Sequence, residues 1–502
     1  MKGYNQNLKK EIVQNSFWNF ISLALNRLGA LAFTVILARF LMPENYGVYS
    51  IVLSVAMIFF IFADFGVSKT LVRYISISLN KNKNKISSYH WYLFKLKFIL
   101  TIIFSLGLLF LSYPLAFYIF KNPNLFYPFL VASFYIFVLS FDNFYSQVFY
   151  SIGKVKYLSI KELLSSFLKI ILVLGIFLFI SSIYHVLGIF LSLILISLIL
   201  ILFSLFYIKK FFPILYSKSC EKINKKKIRK FAAFLAFASI SSAFFIYIDS
   251  IMLGLFVSPK YVGYYRAAFS LVFSISSLIT FPNAVLFSMF ARINMKSIGK
   301  ILDISFKYFL MVVIPIIFGL FIFGKYFIRA LFGYEYLSSV LPLYFLSFLL
   351  FFTVLVGLFF SLFSAKGKPE IFAKLIFVIC LINVFLNFGL IKLFLRISPN
   401  WAMAGAAIAT TISWGIYLVA SAFLTKKEFG FSIPFRFMIR PIVSSLFMGG
   451  ALIYLLTFIY DLTLFLGAGL ILFGSLIYII LMLLIGGINK EDFNLLKEIY
   501  RT

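Results

Sequence analysis

Two cysteines, two histidines and fifteen acidic residues are all that a chain of 502 residues offers of the side chains most used in catalysis and metal binding. Cys220 lies in a basic loop and Cys380 in an apolar segment, which excludes a disulfide framework and a cysteine metal cluster. His90 and His185 stand at the starts of two apolar segments on opposite sides and read as interfacial packing. No Gly-x-Ser-x-Gly, His-Glu-x-x-His or paired-cysteine motif occurs, so no enzyme is expected. Charged residues make up 12%, about half the share of a soluble domain. Apolar residues reach 63%, aromatics 21%, and the mean hydropathy is +1.06. No soluble fold hides that much apolar surface, so the chain reads as an all-α integral membrane protein. The apolar runs last about twenty residues and do not alternate, which excludes a transmembrane barrel.

Fourteen such runs are predicted, near residues 14–41, 46–79, 89–113, 126–152, 158–181, 184–208, 231–257, 262–291, 304–325, 341–365, 371–395, 401–424, 441–460 and 464–487. The second and eighth are long enough to tilt or to leave the lipid. The N-terminal lysines lead into an apolar stretch with no small-residue cleavage site, so a first membrane helix is expected there and not a removed signal peptide. Lys and Arg number 46 against 15 acids. In a membrane protein that excess reads as loop charge and not as a nucleic-acid surface. With the N-terminus inside, most cations fall on inside loops, nine of them between Lys209 and Lys230. Both termini are therefore expected in the cytoplasm, on a multi-pass protein of the cytoplasmic membrane.

The chain repeats itself. Pro43-Glu-Asn-Tyr-Gly47-Val-Tyr49 returns as Pro259-Lys-Tyr-Val-Gly263-Tyr-Tyr265, Gly153-Lys154 as Gly367-Lys368, and Gly188 as Gly405, at offsets of 216, 214 and 217. Six helices per repeat is an even number, so both halves start from the same side and form parallel repeats. The expected divisions are an N-lobe over 1–208, a basic cytoplasmic linker over 209–230, a C-lobe over 231–424, and two extra helices with a tail over 425–502.

Gly319-Leu-Phe-Ile-Phe-Gly324-Lys325-Tyr326 has the spacing of a phosphate-binding loop, but Tyr326 replaces the hydroxyl that holds magnesium and no strand precedes it. Without an ATP site, transport would run on an ion gradient or on the gradient of the substrate. Residues 325–336 read as a short interfacial helix on the outer face.

Ionisable residues inside a bilayer cost on the order of 3 kcal/mol each and face a cavity or a partner. Asp64, Asp142 and Asp249 lie well within apolar runs, and Glu162 about one turn inside. Against them stand Arg27, Lys69, Arg73 and Lys169, while Lys95 and Lys97 sit where they can snorkel to headgroups. Two readings follow. Internal ion pairs, such as Arg27 with Asp64 or Lys169 with Asp142, would lock helices together. Alternatively, Arg27, Lys69, Arg73 and Lys169 line a hydrated cationic cleft that suits a diphosphate, with Asp64, Asp142 or Asp249 as a coupling-ion or gating group. Gly66, two residues after Asp64 in mid-run, marks a helix break or a close contact.

The stretches Phe17-Trp18-Asn19, Ile36-Leu-Ala-Arg39-Phe-Leu-Met-Pro43 through Tyr49, Ala63-Asp64-Phe-Gly66 and Leu71-Val-Arg73-Tyr resemble the opening of prokaryotic oligosaccharide flippases. These form the polysaccharide-transporter branch of the multidrug/oligosaccharidyl-lipid/polysaccharide exporter superfamily. Tyr247-Ile-Asp249, Val262-Gly263-Tyr-Tyr265 and Met403-Ala-Gly405-Ala-Ala-Ile-Ala409 fit the same family. The resemblance implies two six-helix lobes in a V plus two extra C-terminal helices. It implies a secondary transporter that moves a polyprenyl-diphosphate-linked oligosaccharide to the outer leaflet by alternating access, for cell-surface polysaccharide biosynthesis. It also implies cavity roles for the Arg27 and Asp64 region and for Asp249. Ser250 stands where many members carry an arginine. No cofactor is expected, and a proton or sodium ion is the candidate for coupling. Expected partners are the lipid-linked glycan, membrane lipids and polysaccharide-assembly proteins. The rivals are a peptidoglycan-precursor flippase and a cation-coupled drug exporter. A membrane glycan polymerase is disfavoured by the short outer loops.

Overall fold

A computed structural model describes residues 2–217, 221–280, 283–294, 297–459, 463–489 and 492, with side chains from Arg27 onward except at 80, 81, 284, 285 and 464. Cys220 lies outside the described residues. The elements are α1 (Lys2–Asp64), α2 (Val67–Lys81), α3 (Lys85–Pro114), α4 (Phe126–Ser151), α5 (Val155–Phe179), α6 (His185–Phe211), α7 (Lys225–Phe256) and α8 (Pro259–Ile279). They continue as α9 (Asn283–Arg292), α10 (Ile298–Phe332), α11 (Val340–Ser347), α12 (Leu349–Ala365), α13 (Pro369–Leu395), α14 (Pro399–Phe429), α15 (Arg436–Leu456) and α16 (Leu464–Leu484).

Among the described residues, thirteen helical stretches are long and apolar enough to cross a membrane. The first of them, Arg27–Leu79, holds two crossings. At Met42 the backbone leaves the helix (φ 59, ψ 166), and Pro43 starts the return. A proline disfavours helix in the residue before it and suits the first helical position after it. Counting both sides of this turn gives fourteen crossings, as the sequence predicts.

The chain divides into two compact units, residues 1–266 with 376–403, and residues 267–375 with 404–502. In the first, Val67, Leu71, Leu93, Phe144, Phe149 and Ile228 form one core joining α2, α3, α4 and α7. In the second, Phe323, Met448, Leu452, Tyr478 and Met482 join α10 to the last two helices. Some serines within the spans bond back to their own helix: Ser50 donates to the Tyr46 carbonyl and Ser54 to that of Ser50, both at 2.7 Å.

Four sequence expectations need correction. The second crossing is not one helix but breaks at Phe65 (φ 42) and Gly66 (φ 70). The eighth crossing is likewise split, between the end of α8 at Ile279 and the start of α9 at Asn283. Length in these two runs therefore reflects an interrupted helix, and not tilt alone. The seventh crossing starts at Lys225, earlier than predicted, because the Asn224 side chain accepts the Lys227 N–H at 3.0 Å and caps the helix. Residues 325–332 do not form a separate interfacial helix but complete α10, and a short 3₁₀ segment follows over Tyr334–Ser339. The helical context of Gly319 and Gly324 agrees with setting aside a phosphate-binding loop there.

The tail of the second unit is clasped by one carboxylate. Asp492 accepts hydrogen bonds from Lys307 Nζ (2.6 Å), Tyr308 OH (2.7 Å) and the Asn489 N–H (2.7 Å). Burial alone would raise this carboxyl, but the three donors and the lysine charge outweigh it and hold it below the ordinary carboxylate range. A lowered folded-state value means that the clasp is fully present above about pH 4, the ordinary range, and is lost as the pH falls through the lowered value. Asp492→Asn should cost about 1–3 kcal/mol at neutral pH. The loss should vanish in acid, as read by thermal unfolding of the purified protein in detergent.

Candidate substrate-binding and coupling residues

Asp64 ends the helical run of α1, immediately before the break. Its carboxylate accepts Lys97 Nζ at 2.6 Å and the Ser68 hydroxyl of the first turn of α2. Lys97 is fully buried on α3. It does not snorkel to headgroups, as its position near a helix end suggested, and Asp64 does not pair with Arg27 as the sequence reading offered. Gly66 follows in the left-handed region, and a Cβ there would overlap the Ala232 carbonyl of α7. The glycine thus serves both the break and a close helix contact.

Beyond the break, Lys69 and Arg73 lie one turn apart on the exposed face of α2, toward α7. Lys69 Nζ donates to Ser239 Oγ at 3.2 Å, and the Arg73 guanidinium lies 4.2 Å from the Phe231 ring centroid. Among the described residues neither pairs with a carboxylate. Arg27 is half-buried on α1. Measured along the helices from the Met42 turn at 1.5 Å per residue, Arg27 and Lys69 are separated by roughly 20 Å of depth. These cations therefore do not converge on one phosphate.

Asp142 on α4 pairs with Lys161 on α5 at 2.6 Å. Lys161 also donates to the Ser146 hydroxyl and to the Asp142 backbone carbonyl, the latter at 3.1 Å. Lys161 is 2% exposed. It lies only two turns inside α5, where a lysine can also reach water, so its position along the helix does not reveal the pairing. Lys169 reaches the same space two turns along α5 from Glu162, with Asp142 across it on α4. All four line a polar cavity of about 340 Å³ with Asn143, Gln147 and Ser165. The positions that matter recur at helical spacing, 142, 143, 146 and 147 on α4 and 161, 162, 165 and 169 on α5. That periodicity was present in the sequence but hidden by the apolar residues around it.

Asp249 on α7 is 1% exposed. It accepts Tyr265 OH at 2.5 Å and Asn387 Nδ2 at 2.8 Å. Asn387 also donates to the Asn383 carbonyl at 3.1 Å. Tyr265 closes the second copy of the repeated motif, so the repeat supplies a ligand to a buried carboxylate that joins α7, α8 and α13. Neither asparagine was singled out from sequence.

The two copies of that motif also touch each other. A Cβ on Gly47 would overlap the Pro259 carbonyl, and one on Gly263 would overlap that of Pro43. The contact is reciprocal, as a local two-fold requires. His90, buried on α3, packs against Phe94 and Phe144, and His185 Nε2 meets the Ile180 carbonyl at 3.0 Å. In the second unit an apolar groove of about 430 Å³ runs between α10, α15 and α16, lined among others by Phe323, Leu452 and Tyr478.

Fourteen crossings, two sequence repeats and ionisable groups buried between helices define a multi-pass membrane protein with a transporter fold. The profile of the polysaccharide biosynthesis protein family matches residues 12–294, over half of the chain, and the chain belongs to that family. An uncharacterized membrane protein of Methanocaldococcus jannaschii, MJ1068, is 25% identical over 84% of this chain and 85% of its own length. The probable low-salt glycan biosynthesis flippase Agl15 of Haloferax volcanii is 25% identical over 55% of this chain and 58% of its own. Among solved structures, the lipid II flippase MurJ in an inward-closed conformation matches with a TM-score of 0.73 at 18% identity, over 93% of this chain and 98% of that one. An inward-facing multidrug resistance MATE family transporter matches with a TM-score of 0.60 at 14% identity, over 82% and 95%. At these identities the structural likeness concerns the fold alone.

Proposed function

We propose that this protein flips a polyprenyl-diphosphate-linked oligosaccharide from the cytoplasmic to the outer leaflet by alternating access, for cell-surface polysaccharide biosynthesis. The observation that carries the proposal is the pair Lys69 and Arg73, two exposed cations one turn apart beneath a helix break, with no carboxylate on either among the described residues. With no carboxylate beside them these cations keep their charge available to an anion, and a diphosphate carries about two negative charges that Arg and Lys donors satisfy. The glycan flippase of Haloferax volcanii and the shared family support the cargo class.

In this reading both termini face the cytoplasm. Lys69 and Arg73 receive the diphosphate near the inner side and Arg27 meets it deeper, roughly 20 Å along the path. Lys169 lines the cavity with Asp142 and Glu162, and that setting fits a different partner from a phosphate. Of the coupling candidates Asp64, Asp142 and Asp249, the first two already hold a lysine ammonium, which leaves the third for a proton or sodium ion. Asp249 is the preferred position, because its carboxylate ties three helices and a change in its charge would be felt by all of them.

Arg27→Ala and Arg73→Ala, separately and together, test the role of the cations. Each single change should lower surface glycan about tenfold at normal protein level, the loss of a charge-assisted hydrogen bond being worth about 1.5–3 kcal/mol. Normal surface glycan in the double variant would remove the assigned role.

A further inference from the structure

We infer that the cavity between α4 and α5 recognises the sugar ring next to the diphosphate, and not the phosphates. This rests on the flippase reading above. The lining is electroneutral: Asp142 and Glu162 stand against Lys161 and Lys169. A phosphate needs donors only, and two carboxylates in so small a space would repel it. A metal ion needs acceptors, and two ammonium groups would repel that. A neutral, hydroxyl-rich ring needs both at once, because every hydroxyl donates and accepts.

The cavity supplies both in fixed positions. Lys161 is locked to Asp142 and Ser146, so the pair acts as a rigid wall. Glu162 and Lys169 lie one above the other on α5, and the amides of Asn143 and Gln147 face them from α4. Its volume of about 340 Å³ is at the small end for ligand sites, which run from about 300 to 1,000 Å³, and suits one ring. Tyr150 adds an aromatic face at the rim.

The cavity also lies where the cargo would put its first sugar. Ser166, on the α5 face that carries Glu162 and Lys169, meets α1 at Gly29, where a Cβ would stand 2.7 Å from Ser166 Oγ. α1 and α5 therefore pack together at the depth of the cavity, with Arg27 on another face of α1, so a cargo carried along α1 passes within one helix of the cavity.

The test measures binding to the full-length protein in lipid nanodiscs. The probes are farnesyl diphosphate and farnesyl diphosphates that carry a single glucosyl, galactosyl or N-acetylglucosaminyl residue. The native protein should bind at least one glycosylated probe about tenfold more tightly than the bare diphosphate. Asn143→Leu with Gln147→Leu should erase that preference and leave the affinity for the bare probe unchanged. Glu162→Gln, which keeps the shape, should reduce the preference severalfold and serves if the double variant does not fold. Arg73→Ala should weaken all probes alike.

If the native protein binds every probe equally, or the cavity variants weaken the bare diphosphate as much as the sugar-bearing ones, the sugar site is overturned and the flippase reading stands. If no probe binds at all, both fall.

Discussion

Gly47→Ala should cost this protein at least 3 kcal/mol of stability, and Gly263→Ala about as much. In an ordinary helix the same change stabilises by about 1 kcal/mol, because alanine restricts the unfolded chain and glycine does not. Here the new methyl would overlap a backbone carbonyl, of Pro259 in one case and of Pro43 in the other. A flexible side chain could swing away, but a carbonyl on a proline-started helix moves only if the helix moves. Overpacking costs about 1–3 kcal/mol even where side chains can yield, so a backbone clash belongs at or above the top of that range. Gly389→Ala is the control, since nothing lies within 4 Å of its added carbon. Thermal unfolding of the three variants in detergent should show large losses for Gly47 and Gly263, and no loss or a small gain for Gly389. Equal behaviour of all three would mean that the two motifs do not touch.

The second large effect is expected at Asp64 and Lys97. Lys97 Nζ has no exposure and finds its anion at 2.6 Å. Asp64→Ala leaves that ammonium buried against the Phe60 ring, whose centroid is 5.6 Å away. Removal of one member of a buried pair costs about 3–5 kcal/mol, whereas removal of both is often near neutral. Asp64→Ala with Lys97→Met should therefore be more stable than Asp64→Ala alone, by about 2–4 kcal/mol in a double-mutant cycle. The same double variant separates two roles for Asp64. Retained glycan export would make the pair a clamp between α1 and α3, and lost export in a stable protein would make Asp64 part of transport.

The corrections share one cause. Lys97 and Lys161 each lie within a few turns of a helix end, where a long side chain can reach water, so neither stands out in the sequence as the partner of a buried acid. Distance along one helix does not reveal a carboxylate on the next. Asp64 and Asp142 were legible as costly residues in apolar runs, but their partners come from α3 and α5, and pairing across helices depends on rotation about each helix axis. Asn383 and Asn387 escaped notice for a related reason. An uncharged amide in an apolar run carries little signal until a buried carboxylate is seen beside it.

Composition and run length alone determined that this chain is helical and spans a membrane, because a bilayer leaves the backbone no partner but itself. The equal offsets of Pro43 and Pro259, of Gly47 and Gly263, and of Tyr49 and Tyr265 determined the internal repeat. Only the tertiary structure decided that the glycines of the two copies meet, that α1 and α2 part at Phe65 and Gly66, and which lysine answers which carboxylate. Those facts depend on how helices approach and turn toward one another, and the period of a single helix does not encode that.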